Sequence, residues 1–124
     1  MNQLTFAILL LTLALIIHLV EEVKTGFRKQ LIIGEMPRSL FIGINVLIYS
    51  YALVMLILSW LGNPASIWMA WIFTVGNLIN ASGHIAAMIY HRGYFPGGIS
   101  AFVLLAASGY LISVLLSIPN SGSL

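Results

Sequence analysis

Residues 4–24 read LTFAILLLTLALIIHLVEEVK. No Asp, Glu, Lys or Arg falls between Leu4 and Val20, and then Glu21, Glu22 and Lys24 arrive together. A helix that crosses the bilayer core needs about 20 mainly apolar residues. The stretch meets that need and ends on charge, so it reads as a membrane helix. Three more segments repeat the pattern. The expected helices run over about 4–22, 40–61, 65–91 and 98–118. Gly34 and Pro37, Gly62-Asn63-Pro64, and Gly93 with Pro96-Gly97-Gly98 punctuate the gaps between them. The expectation is an all-α, four-helix transmembrane bundle, with residues 1–124 forming a single integral membrane domain. Met1-Asn2-Gln3 carries no side-chain charge, so the first helix lacks the basic start of a signal peptide and is read as retained.

Composition agrees with this reading. Of 124 residues, 60% are hydrophobic and 6% charged, and mean hydropathy is +1.05. A soluble domain carries about 25% charged residues. These values exclude an ordinary soluble globule and a disordered chain. A net charge of +2 is too small for a nucleic-acid footprint, and no such partner is expected. The absence of cysteine excludes disulfides, thiolate metal sites and a thiol nucleophile. Lys24, Arg28, Lys29 and Arg38 lie between the first two helices, and Arg92 lies between the last two. The positive-inside rule puts that side in the cytoplasm and both termini on the non-cytoplasmic side.

The polar residues form two stripes. His18, Glu21 and Glu22 stand three and four apart on the first helix. Asn77, Asn80, His84 and His91 stand three, four and seven apart on the third. Measured at about 1.5 Å per residue from the nearest basic boundary, His18 lies about 9 Å, Asn45 about 10 Å and His84 about 12 Å into the membrane. The three therefore share a level, with Glu21, Glu22 and His91 nearer the surface. Ionisable groups at such depth cost roughly 2.5–3.5 kcal/mol each on insertion scales. They are expected to face inward and to pair with a metal, a proton, one another or a polar substrate.

Imidazole and carboxylate together suit Zn²⁺ or non-haem iron. The expected metal ligands are His18, Glu22, His84 and His91. Glu21, Glu22 and His84 are the expected catalytic groups, with Glu21 a general base or a partner that fixes an imidazole. Asn45, Asn77, Asn80, Tyr90 and Tyr94 are expected in contact with substrate or supporting the ligands. The asparagines also suit hydrogen bonds between helices, and Gly109, Ser113 and Ser117 suit a small-residue packing face.

His18-Leu-Val-Glu21-Glu22 near the end of a first hydrophobic helix resembles the signature of the HXXEE-domain family. Asn80-Ala-Ser-Gly-His84 and Tyr94-Phe-Pro96-Gly97-Gly98 also look like that family's pattern. The resemblance implies a small multipass protein of the bacterial inner membrane, with histidines and glutamates that suggest enzymatic activity of undefined reaction. A second similarity, to CAAX-type intramembrane metalloproteases, is confined to Glu21-Glu22, and Gly26 stands where their motif has Arg.

The leading expectation is a membrane-embedded enzyme, metal-dependent, hydrolase or oxidase, with its His/Glu site at the cytoplasmic leaflet. Its substrate would be lipidic or amphiphilic and enter from the membrane, under a Gly93–Gly98 lid. The alternatives are a small cation or proton transporter or channel subunit, and a non-catalytic partner subunit. The chain's small size leaves a homodimer open.

Overall fold

The computed structural model describes residues 1–31 and 34–119. They form four long helices and a 3-10 turn, Phe27–Lys29, with no strand among the described residues. Helix α1 spans Gln3–Thr25, α2 Arg38–Trp60, α3 Ala65–His91 and α4 Gly98–Ser117. Each is long and apolar enough to cross a membrane.

The ends of α1 explain its length. Asn2 Oδ1 accepts the Thr5 N–H at 2.7 Å, which satisfies one of the donors orphaned at a helix start. At the other end Gly26 takes φ 75° and returns its N–H to Glu22 O. Glycine adopts that left-handed cap at no steric cost. The cap lies beyond Glu22, so both glutamates remain inside regular helix, three and four positions after His18.

Helix α4 packs closely on α1 and α3, while α2 touches the same two helices less closely. The order around the bundle is therefore α1, α2, α3, α4, and α1 faces α3 across the diagonal. Ile8, Leu11 and Leu15 of α1 and Leu104, Leu111 and Leu115 of α4 form the centre. Ala7, Ala70, Ala81 and Ala101 are buried among them. Small residues let helix backbones approach in a medium that supplies no hydrophobic drive between helices.

Two local findings shape the site. First, α2 buries only Ala52, Met55 and Ser59, all in its second half. Its first half stands off and opens a groove between α1, α2 and α3. Second, Gly109, Ser113 and Ser117 lie exposed on the outside of α4, not on the packing face expected of them. The buried stripe is instead Ala101, Leu104, Ser108, Leu111 and Leu115. Gly109 follows Ser108 by about 100° around the axis, which carries it off that stripe.

Candidate metal centre

His18 lies two turns before the end of α1, and Glu22 lies one turn beyond it on the same face. His84 lies about two turns before the end of α3. Because α1 and α3 face each other across the bundle, the three meet in its interior. His18 is 1% exposed, His84 3% and Glu22 8%. The imidazole centroids are 4.5 Å apart with planes at 88°. Glu22 Oε1 is 3.4 Å from His18 Nε2 and 3.1 Å from His84 Nε2. One ligand atom from each residue lies within 4.8 Å of the other two.

The opposite ring nitrogens determine what these atoms can do. His84 Nδ1 is 2.7 Å from Pro96 O, a carbonyl that can only accept. Nδ1 therefore carries a proton and donates. His18 Nδ1 is 2.8 Å from Ser100 Oγ, and that hydroxyl is 3.3 Å from Gly97 O. A hydroxyl that donates to Gly97 O accepts from His18 Nδ1–H. With both rings neutral, each turns an Nε2 lone pair toward the Glu22 carboxylate. Three acceptors facing one another in a buried space repel unless a cation lies among them. His18 Nε2 indeed has no hydrogen-bond partner.

Metal geometry fits the spacing. Ligand arms of about 2.1 Å give tetrahedral or octahedral shells whose edges are about 3.0–3.4 Å. The two Nε2–Oε1 separations fall on that range. Two imidazoles and one carboxylate are the donor set of catalytic zinc sites and of non-haem iron centres. The bonds from Nδ1 to Ser100 and Pro96 are the outer contacts that such imidazoles need to hold their orientation.

Glu21 does different work. Its Oε2 accepts the Ser100 N–H at 2.7 Å, and its Oε1 accepts the Ile99 N–H at 3.2 Å and the Tyr94 hydroxyl at 2.6 Å. Gly97, which precedes α4, has no side chain to cap the helix. Glu21 supplies that cap from α1, with its charge at the positive end of the helix dipole. Burial first, and then the Glu21 carboxylate, push the Tyr94 phenol above its usual value.

The segment after α3 forms a wall of the site. Phe95, Pro96, Gly97 and Gly98 are buried, in contrast to the flexible lid expected of Gly93–Gly98. At Gly97 a Cβ would stand 2.7 Å from the His84 ring and 2.9 Å from His18 Cε1, and φ is +82°. Only glycine fits there. Phe27 and Phe95 lie tilted against the His84 ring, at 4.9 and 5.9 Å between centroids. Ser100 and Phe27 carry no sequence signal for these roles; Pro96-Gly97-Gly98 has one only as part of the motif-like segment from Tyr94.

The remaining candidates are dispersed. His91 is exposed and stacks on Phe95 at 5.5 Å, outside the group formed by His18, Glu22 and His84. Tyr90 is 74% exposed. Asn45, Asn77 and Asn80 line the groove between α1, α2 and α3, as do His18 and Glu22. This groove has a volume of about 460 Å³, and most of its other walls are apolar. Asn45 Nδ2 donates to Phe41 O and Asn77 Nδ2 to Phe73 O, each four residues back on its own helix rather than across to a neighbour.

No curated protein and no solved structure matches the chain. A family model described as "Protein of unknown function with HXXEE motif" matches residues 9–112, and the chain belongs to that family, with His18, Glu21 and Glu22 supplying the motif.

Proposed function

We propose that the protein is a membrane-embedded, metal-dependent enzyme whose metal is held by His18, Glu22 and His84. The observation that carries the reading is the convergence of two imidazole Nε2 atoms and one carboxylate oxygen, all buried, with both Nδ1 atoms already engaged as donors. Zn²⁺ there would polarise a carbonyl or activate water, and Fe²⁺ would add redox chemistry. Glu21 acts through Ser100: it holds the start of α4, and Ser100 in turn orients His18.

The substrate in this reading is lipidic or amphiphilic. His18 and Glu22 form part of the wall of a largely apolar groove whose size suits a small-molecule site. Leu47 and Ile72, which line the groove, are exposed, as is Ile79, so the approach to the groove is through lipid. The basic residues cluster at the same end as the site, which supports a cytoplasmic-leaflet location in a bacterial inner membrane.

The test is metal content by mass spectrometry on detergent-purified protein without chelators, with His18→Ala and His84→Ala beside the wild type. The expected result is near-stoichiometric Zn or Fe in the wild type, lost in both variants. A wild type without bound metal overturns the metal reading and leaves a Glu–His proton-transfer pair as the chemistry of the site.

A further inference from the structure

The groove beside the metal centre is open along one side and closed at one end. Its α1 wall is shut, since Leu15, His18 and Glu22 are buried. The exposed lining residues come from the other two helices: Ile44 and Leu47 of α2, Ile72 and Gly76 of α3. The opening therefore lies between α2 and α3. At the end away from the metal centre the Tyr51 ring stacks on Phe73, with centroids 6.1 Å apart. The Tyr51 hydroxyl also donates to Met69 O at 3.0 Å, which ties α2 to α3 and closes the groove there. Asn45, Asn77 and Asn80 offer it both donors and acceptors and so select neither. The other walls are largely apolar, and what the shape selects is length.

Gly76 stands in the opening. A Cβ there meets no atom of the described residues within 4 Å, so no packed neighbour demands a glycine. Glycine is a poor residue for a helix interior. What its missing side chain leaves free is room in the groove. Gly76 is eight residues from His84, about 12 Å along α3, and Phe73 is eleven, about 16 Å. An extended alkyl chain advances about 1.25 Å per carbon, from a C–C bond of about 1.52 Å and an angle near 111°. A chain whose head is at the metal centre passes Gly76 at about its tenth carbon and meets the ring pair at about its thirteenth. The basic residues lie at the site's end of the bundle, so a lipid of that leaflet already holds its head and tail in this order. We infer that the groove takes one straight alkyl chain, entering between α2 and α3 with its polar head toward His18 and Glu22, and that the vacancy at Gly76 sets how long a chain it accepts. The inference deepens the proposed function and rests on it for what the head meets at the metal. Chain selection itself is a property of the groove.

The experiment uses two probes, octanoate, which ends short of Gly76, and dodecanoate, which passes it. Binding of each to the purified, metal-analysed protein is measured by native mass spectrometry, for the wild type, Gly76→Leu and Gly109→Leu. Gly109 is the control: it is exposed on α4, its Cβ would also meet open space, and it lies outside the groove. Leucine is the better helix former at both positions, so both variants are expected to fold and to keep their metal. Gly76→Leu is expected to weaken dodecanoate binding about tenfold or more, as overpacking of a filled site would, and to leave octanoate unchanged. Gly109→Leu is expected to match the wild type. A wild type that holds neither probe overturns the inference. So does dodecanoate binding that survives Gly76→Leu, loss of both probes alike, or an equal loss in Gly109→Leu. Selection that depends on Gly76 in a metal-free wild type upholds the inference and removes the metal reading alone.

Discussion

The two ends of the bundle handle buried polarity in opposite ways. At the end that holds both termini, Thr5, Ser59 and Asn2 form a closed neutral network. Thr5 Oγ1 lies 2.7 Å from Ser59 Oγ and 2.8 Å from Asn2 Oδ1, and Asn2 Nδ2 donates to Ser59 O. Every hydroxyl there has a partner within the protein. At the other end the groups are ionisable: Glu22 Oε1 lies 3.4 Å and 3.1 Å from two imidazole Nε2 atoms, and His18 Nε2 has no hydrogen-bond partner. Structural polarity in a membrane protein resembles the first arrangement, since neutral hydrogen bonds hold helices together at modest energy. The second arrangement is kept at a cost, and that cost argues for a ligand.

The contrast breaks most severely at Gly97. Gly97→Ala places a methyl group against both imidazoles and forces an alanine to φ +82°. The expected outcome is loss of metal binding by two orders of magnitude or more. Overpacking would also lower stability by roughly 1–3 kcal/mol, read as a lower midpoint in detergent melts. A metal-replete, fully stable alanine variant would show that the wall is softer than its geometry implies.

Glu22→Gln sharpens the comparison, because it converts the open end into something like the closed one. The amide keeps the shape of the carboxylate, removes its charge and adds a donor that a histidine Nε2 can accept. Metal content should fall about 10- to 100-fold or more, while the metal-free protein melts no lower than the wild type. Glu21→Gln tests the neighbour. It weakens the cap on α4, and a stability loss of about 1 kcal/mol is expected, with metal retained. If the two variants behave alike, the division of labour between the adjacent glutamates is wrong.

That division marks the limit of what the sequence could show. The four helices were legible because lipid demands long apolar runs, and the runs here are interrupted by Gly and Pro at the turns. His18 and His84 could be placed at one depth by counting residues from Lys24 and Arg92, with Glu22 nearer the surface. Which of two adjacent glutamates turns inward could not be counted, since their difference depends on the start of α4, far along the chain. The Gly93–Gly98 segment reads as flexible by composition, yet Phe95 and Pro96 are drawn into the interior by the imidazoles they contact. The outward face of Gly109 and Ser113 was hidden for a similar reason: the face an apolar helix buries depends on its neighbours when every face is apolar.

At the closed end the expected effects are smaller. Thr5→Val leaves the Ser59 hydroxyl without its partner at a position only 1% exposed. The loss should be about 1 kcal/mol, and the double variant Thr5→Val, Ser59→Ala should recover most of it, since removing both partners leaves nothing unpaired. Metal content should stay at the wild-type level in both. Thermal melts with metal analysis on the same samples decide this, and a metal loss in either variant would mean that the two ends are coupled.

The smallest effect concerns the Tyr94–Glu21 contact, and its sign follows from the phenol. The folded protein holds the Tyr94 proton more tightly than the ordinary value of about 10. A group raised in this way adds stability that is fully present below the unfolded value and is lost as pH rises through the folded one. Wild-type stability should therefore decline above about pH 10 partly through this group, while Tyr94→Phe lacks that part of the decline. Tyr94 is 51% exposed, so solvent screens the contact and the difference at neutral pH should be small. Melting curves of the two proteins between pH 8 and 11 should converge as the medium becomes alkaline. Parallel curves would show that the hydroxyl contributes nothing, leaving Glu21 to hold α4 through the Ile99 and Ser100 N–H groups alone.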